Sequence, residues 1–243
     1  NKLFIILSLL LSLSMGQDYS LSFDGGNSIN IDYSFFTLAL GTGDDCNYTI
    51  SMNVFPEDSL STEDLIKNND GASGLVLQIK EGGEINLIVG EAHNSSEMNV
   101  IEYNAWNHIL ISTDCYHINR LWINGIEKII QNNNMDLASS DVSTKLGDSG
   151  DGQPYKGGMD ELSIFHSTIT YQEFISYDFS TPQEISYIMS YYNFNAGTGT
   201  TLYDRSGNGN DGTINGATWV CNDMDACGVW CGDNSSCPTI TDI

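Results

Sequence analysis

Residues Gly158-Met159-Asp160-Glu161-Leu162-Ser163-Ile164-Phe165 decide the fold class. Apolar residues recur there at alternate positions, the period of a β-strand with one face in a core. The same period places Asp160 on the face that carries Leu162 and Ile164, and Glu161 on the opposite one. A carboxylate on a core face has to be hydrogen-bonded, paired or bound to a metal. The chain has 8 Lys and Arg against 32 Asp and Glu, so basic partners are scarce and calcium is a candidate. The alternative is a strand end at which Asp160 accepts backbone N–H bonds.

Outward from this stretch, short apolar runs alternate with Gly, Asn and Asp, the signature of an all-β sandwich or barrel. Strands are expected near 20–23, 28–32, 35–40, 48–55, 74–79, 85–89, 106–113, 120–124, 127–130, 158–165 and 188–194. The strongest hairpin signal is Asn124-Gly125 between two apolar runs, because a type I′ turn needs positive φ at both central residues. Two short helices are expected. One covers 61–66, with Ser or Thr as cap and acids in its first turn; the other follows Thr170, with Glu173 completing a capping box. The polar stretch 132–152 reads as a long loop.

The 243 residues suit one β-rich domain with a short appendage. Residues 1–16 read as a signal peptide: Lys2, an apolar stretch from Leu3 to Leu13, then Ser14-Met15-Gly16 at the cleavage positions. That stretch is shorter than the roughly 20 residues of a membrane span, so a secreted or surface-displayed chain without a span is expected. A net charge of −24 argues against nucleic acid or an anionic lipid surface as partner and suits divalent cations or simple solubility. In an exported chain the cysteines read as disulfides, Cys46 with Cys115 as one group and Cys221, Cys227, Cys231 and Cys237 as another, the latter with three possible pairings. A four-thiolate zinc site is the rival reading of that last group.

Four segments, in order, resemble the laminin G-like jelly roll of the concanavalin A-like lectin/glucanase superfamily. They are Leu21-Ser22-Phe23-Asp24-Gly25, Trp106-Asn107-His108-Ile109-Leu110-Ile111, Leu121-Trp122-Ile123-Asn124-Gly125, and 158–165 followed by 170–174. The resemblance implies a two-sheet antiparallel jelly-roll sandwich over 17–220. It also implies a structural calcium, or an equivalent polar cluster, which maps onto Asp24, the Gly25 carbonyl and Asp160. Segment 191–219 is similar to what usually precedes the family's opening strand. Either it returns to pair beside the first strand as a permuted segment, or it begins a second copy; four unpartnered aromatics in it favour the first. Asp204 and Asn208 read mainly as a turn whose side chains bond their own backbone. Residues 221–243 resemble the Cys- and Asp-rich linkers of bacterial surface proteins, implying further modules.

Glucan-cleaving relatives carry carboxylates at alternating positions of one strand, and that run is missing. Asp160 and Glu161, being adjacent, would face opposite ways and could not flank one glycosidic bond. Glu57, Asp58, Glu63 and Asp64 read as a solvated face. The resulting expectation is a non-catalytic, secreted or cell-surface binding and adhesion module that recognises a glycan or a surface protein, with a structural calcium. The competing expectations are a polysaccharide-cleaving glycosidase or lyase, and a purely structural spacer.

Overall fold

The computed structural model describes residues 18–33, 47–57, 61–69, 74–89, 91–114, 118–130, 142–147, 150 and 153–222. The expected signal peptide, the strand at 35–40, and Cys46, Cys115, Cys227, Cys231 and Cys237 lie outside them.

Among the described residues sixteen strands form two antiparallel sheets. The first sheet holds β1 (Tyr19–Asp24), β3 (Tyr48–Pro56), β8 (Asn107–Thr113), β9 (Asn119–Ile123), β10 (Ile126–Lys128), β12 (Lys156–Phe165), β13 (Ile188–Tyr192) and β16 (Thr218–Cys221). Its order is β10-β9-β8-β3-β12-β1-β16, with β13 also beside β12. The second holds β2 (Ser28–Ile31), β4 (Glu63–Asn69), β5 (Gly74–Lys80), β6 (Glu84–Val89), β7 (Ala92–Ser95), β11 (Thr144–Leu146), β14 (Thr201–Leu202) and β15 (Gly212–Asn215). Its order is β14-β15-β2-β11-β4-β5-β6-β7. Alternate residues of both sheets, among them Leu21, Phe23, Ile50, Leu77, Leu87, Ile109 and Ile111, meet in one core. This is the all-β sandwich that the alternating pattern predicted and the jelly roll that the family resemblance implied.

Segment 188–221 closes both sheets on the same side. β16 lies antiparallel to β1 with Ser20 opposite Val220, and β15 lies antiparallel to β2 with Ile29 opposite Ile214. Two edges that would otherwise offer unpaired backbone groups are thereby covered. Cys221 is the last residue of β16.

Three expectations are corrected. Residues 61–66 are not a helix: Glu63–Asn69 is strand β4, held between β5 and β11. A register shift between Asp64 and Ile66 lets both Leu65 and Ile66 enter the core, so sheet pairing overrides a good helix start. Glu63 and Asp64 are accordingly buried rather than solvated, and Asp64 Oδ1 accepts from Gln78 Nε2 at 2.6 Å. Within the expected loop 132–152, Thr144–Leu146 is β11, an interior strand between β2 and β4. The expected helix after Thr170 forms as α1 (Tyr171–Phe174), with both bonds of the capping box present.

Candidate functional site

Strand β12 keeps β3 along one edge but changes partner along the other. Its first half pairs with β1, as far as Leu21 opposite Met159; its second half pairs with β13, from Leu162 opposite Tyr192 onward. At this seam the register with β3 shifts between Asp160 and Ser163, and Glu161 takes a φ of +51°, so the strand bulges. Met159 and Leu162 are three residues apart, yet both enter the main core. Alternation therefore reverses across the bulge, and Asp160 leaves on the face opposite Leu162 and Ile164. The expectations that Asp160 points into the core and that Glu161 opposes it are both corrected. The extra residue turns the two carboxylates to the same outer face.

Register builds a polar row across that face. His108 lies opposite Asn53, Asn53 opposite Asp160, and Asp160 aligns with Ser20 of β1, at strand spacings of about 4.8 Å. Asp160 Oδ1 accepts the N–H of Glu161 at 2.8 Å, and Tyr191 donates its hydroxyl to Glu161 Oε2. Burial, with Glu161 and Asp18 close by, holds the Asp160 carboxyl well above the usual carboxylate range. Burial also pushes Glu161 up to about 7, although the Tyr191 hydrogen bond works against the rise; Asp18 adds to it. Burial and the crowding of acids thus both favour the protonated carboxyls at the seam.

Aromatic side chains flank the row. Trp106 is 43% exposed, lies over Gly158, and meets Phe55 edge-on with ring centroids 5.7 Å apart. A Cβ on Gly158 would sit 2.9 Å from the Trp106 ring, so glycine at 158 makes the close approach possible. On the other side Phe165, Phe174, Tyr177, Phe179 and Tyr191 form a second apolar cluster over the sheet, with Phe179 and Tyr191 centred 4.8 Å apart. His108 belongs to this wall. Its ring stacks on Phe174 at 5.3 Å, Nε2 lies 2.7 Å from Ser51 Oγ, and burial lowers it to about 4. Its role is structural.

The donor set Asp24, Gly25 and Asp160 is not brought together. Asp24 faces Lys156, four residues along β12 from Asp160, which separates the two acids by about 13 Å. Asp24 Oδ1 accepts the N–H of Gly26, and the Lys156 side chain packs against Gly25. A cation-bearing side chain therefore occupies the surroundings in which the ion was expected, and this set does not fit calcium. Among the described residues no three His, Cys, Asp or Glu converge as metal ligands. Asp204 closes a turn: its Oδ1 accepts from the N–H of Tyr191 and Ser206, and Oδ2 from the N–H of Asn210 and Ser190 Oγ. Asn208 and Asn210 both donate to the Met189 carbonyl, fastening the turn to β13.

Sequence reasoning singled out Asp160 but missed the bulge, Tyr191 and the exposed side of Trp106. The crowding of acids at 160–161 beside an aromatic pair at 191–192 was the available signal.

A family model described as the concanavalin A-like lectin/glucanases superfamily matches residues 24–174. No curated protein sequence matches the chain. A Bacteroides ovatus protein, named for an inferred carbohydrate-binding role, superposes with a TM-score of 0.66 at 15% identity, over 86% of this chain and 61% of its own. The NanB sialidase of Streptococcus pneumoniae superposes at 0.52 and 19%, over 68% of this chain and 28% of its own. At these identities the likeness is one of fold. The chain spans less than two thirds of either protein's length.

Proposed function

This chain belongs to the concanavalin A-like lectin/glucanases superfamily, and on that basis we propose that it is a non-catalytic, extracytoplasmic carbohydrate-binding module. Its contact surface is the outer-face row between Trp106 and Tyr191. The observation that carries the reading is the exposed Trp106 ring set over Gly158 beside Asn53, Ser22 and the Asp160–Glu161 pair. A flat aromatic face takes the C–H side of a sugar ring, and amide, hydroxyl and carboxyl groups one strand away match its hydroxyls. The superposed Bacteroides ovatus protein, named for an inferred carbohydrate-binding role, has the same fold.

Bringing Asp160 and Glu161 to one face also favours a second reading, glycoside cleavage. That chemistry needs one carboxyl kept protonated and one kept ionised. Burial raises both carboxyls here, Asp160 well above its usual range and Glu161 to about 7, so cleavage of a bound glycan is the measurement that separates the two readings. No described helix is long and apolar enough to cross a membrane, which suits an exported module.

A glycan array probed with the full chain and with Trp106→Ala tests the reading. The expected result is a defined set of bound glycans, lost on substitution while the melting temperature is retained. Binding that survives Trp106→Ala would move the site elsewhere. Adding chelator or excess calcium to the same melts tests metal dependence of the fold, a shifted midpoint being required for any structural calcium. Release of reducing sugar from a bound glycan would replace this proposal with the enzymatic one.

A further inference from the structure

The outer-face row of the first sheet gathers acids without a counter-charge. Asp160 and Glu161 share that face across the bulge, and Asp18, just before β1, is near enough to raise both carboxyls. Neither Asp160 nor Glu161 forms an ion pair with a described residue. Lys156 leaves β12 on the same face, but it is four residues from Asp160, about 13 Å along the strand, and its side chain lies over Gly25. His108, at the end of the row, is kept neutral by burial and is bonded to Ser51.

Two neutral groups on the face are uncommitted. Ser163 Oγ is fully buried two residues beyond Glu161, between Ser51 and Tyr191, and no described group hydrogen-bonds to it. Asn53, half-buried and opposite Asp160, makes no side-chain hydrogen bond with a described residue. Buried acids without a counter-charge and a buried hydroxyl without a partner both cost stability, which a ligand supplying donors and positive charge would recover.

The chemistry of the row selects that ligand. A calcium ion takes six or more oxygens, and among the described residues no three His, Cys, Asp or Glu converge to supply them. An ammonium group needs fewer partners, because it offers three N–H donors and its charge-assisted bonds to carboxylates are strong. Gly158, under the Trp106 ring, is two residues from Asp160 on the same face, a separation of about 7 Å. A sugar ring stacked on Trp106 therefore brings an amine carried on that ring to the acids.

We propose that the glycan surface selects a sugar bearing a free amine, with its ring on Trp106 and its ammonium held by Glu161, Asp160 and Asn53. This inference rests on the carbohydrate-binding reading and adds the substrate class to it. N-acetylated sugars lack the charge, and carboxylated or sulfated sugars meet the same acids as like charges. An ammonium also favours the ionised carboxyls, so binding releases protons from a pair that burial holds toward the protonated form. The acids that weaken the fold at neutral pH are then the ones that choose the ligand.

The test is calorimetry on the full chain with a β-1,4-linked glucosamine disaccharide and its N-acetylated counterpart, in about 0.15 M salt to screen the net charge. At about pH 6.5, where Glu161 keeps most of its proton, the amine form is expected to bind about tenfold or more tighter than the acetylated form, with protons released in buffers of different ionisation enthalpy. Glu161→Gln should bring the two affinities near to equality and remove the proton release, and Trp106→Ala should weaken both disaccharides. Equal or tighter binding of the acetylated form, or a glycan array on which only amine-free sugars bind through Trp106, overturns the inference and leaves the carbohydrate-binding reading standing. Amine binding that survives both substitutions is mere attraction to the acidic chain and overturns it as well. If no glycan binds at all, the carbohydrate-binding reading fails and takes this inference with it.

Discussion

Two carboxylates near β13, one half-buried and one buried, are accommodated in opposite ways. Asp204 sits in a tight polar turn and is satisfied by four donors: three backbone N–H groups and a serine hydroxyl. Asp160 sits on a bulged strand whose edge is shared by β1 and β13, and it accepts one neighbouring N–H, that of Glu161. The first is held by hydrogen bonds, while burial keeps the second's carboxyl well above the usual carboxylate range. A turn can curl its own backbone around an acid, whereas a strand has already committed its N–H groups to the ladder. Both sites are acidic in sequence. They differ in what the backbone has left to give.

The largest expected effect breaks the satisfied member of the pair. Asp204→Ala leaves four donors short of an acceptor and should cost about 3–4 kcal/mol in chemical denaturation. Asp204→Asn, which keeps one acceptor oxygen, should fall between it and the parent. A change below about 1 kcal/mol for Asp204→Ala would show that the turn does not fasten segment 203–211 to β13.

The strand-borne acids, Asp160 and its neighbour Glu161, should respond to pH. For Glu161 the folded value lies above the unfolded one, so its contribution is fully present below about pH 4 and is lost as pH rises through about 7. Asp160 shifts in the same direction. His108 runs the other way: its folded value is depressed to about 4, so its contribution is present above about pH 6.5 and lost as pH falls. The two trends oppose each other between about pH 4.5 and 6.5, leaving a net loss of stability on the alkaline side. Glu161→Gln should raise stability by about 2 kcal/mol at pH 8 and by little at pH 5. Asp160→Asn should act with the same sign. An identical pH–melting profile in parent and Glu161→Gln would remove the proton-held account of the seam.

The smallest effect sharpens the role of the aromatic wall. Thr170→Ala removes the cap of α1 and should cost about 1 kcal/mol, with the resonances of His108 and Phe174 shifting because those rings stack. Unchanged ring shifts would separate the helix from the wall.

Much of the sandwich was legible locally. β1, β3, β5, β6, β8 and the β9–β10 hairpin announce themselves by alternation or by Asn-Gly, since each packs one apolar face on the core. β4 was misread because its cap residues and acids suit a helix start, and only its position between β5 and β11 makes it a strand. β11 escaped because three residues are too few to show a period. At the candidate site, the capping box of α1 and the polar turn at 204–208 were readable because their partners lie within a few residues. The orientation of Asp160 was not, because one bulged residue inverts everything after it.

By itself the sequence determined an acidic, all-β chain with a capped helix after its closing strand, because apolar period, turn chemistry and charge act over neighbouring residues. Only the tertiary structure decided which carboxylates share a face, which aromatic ring stays open and where the last segment pairs. Those outcomes depend on the register between strands far apart in the chain, and a shift of one residue reverses them.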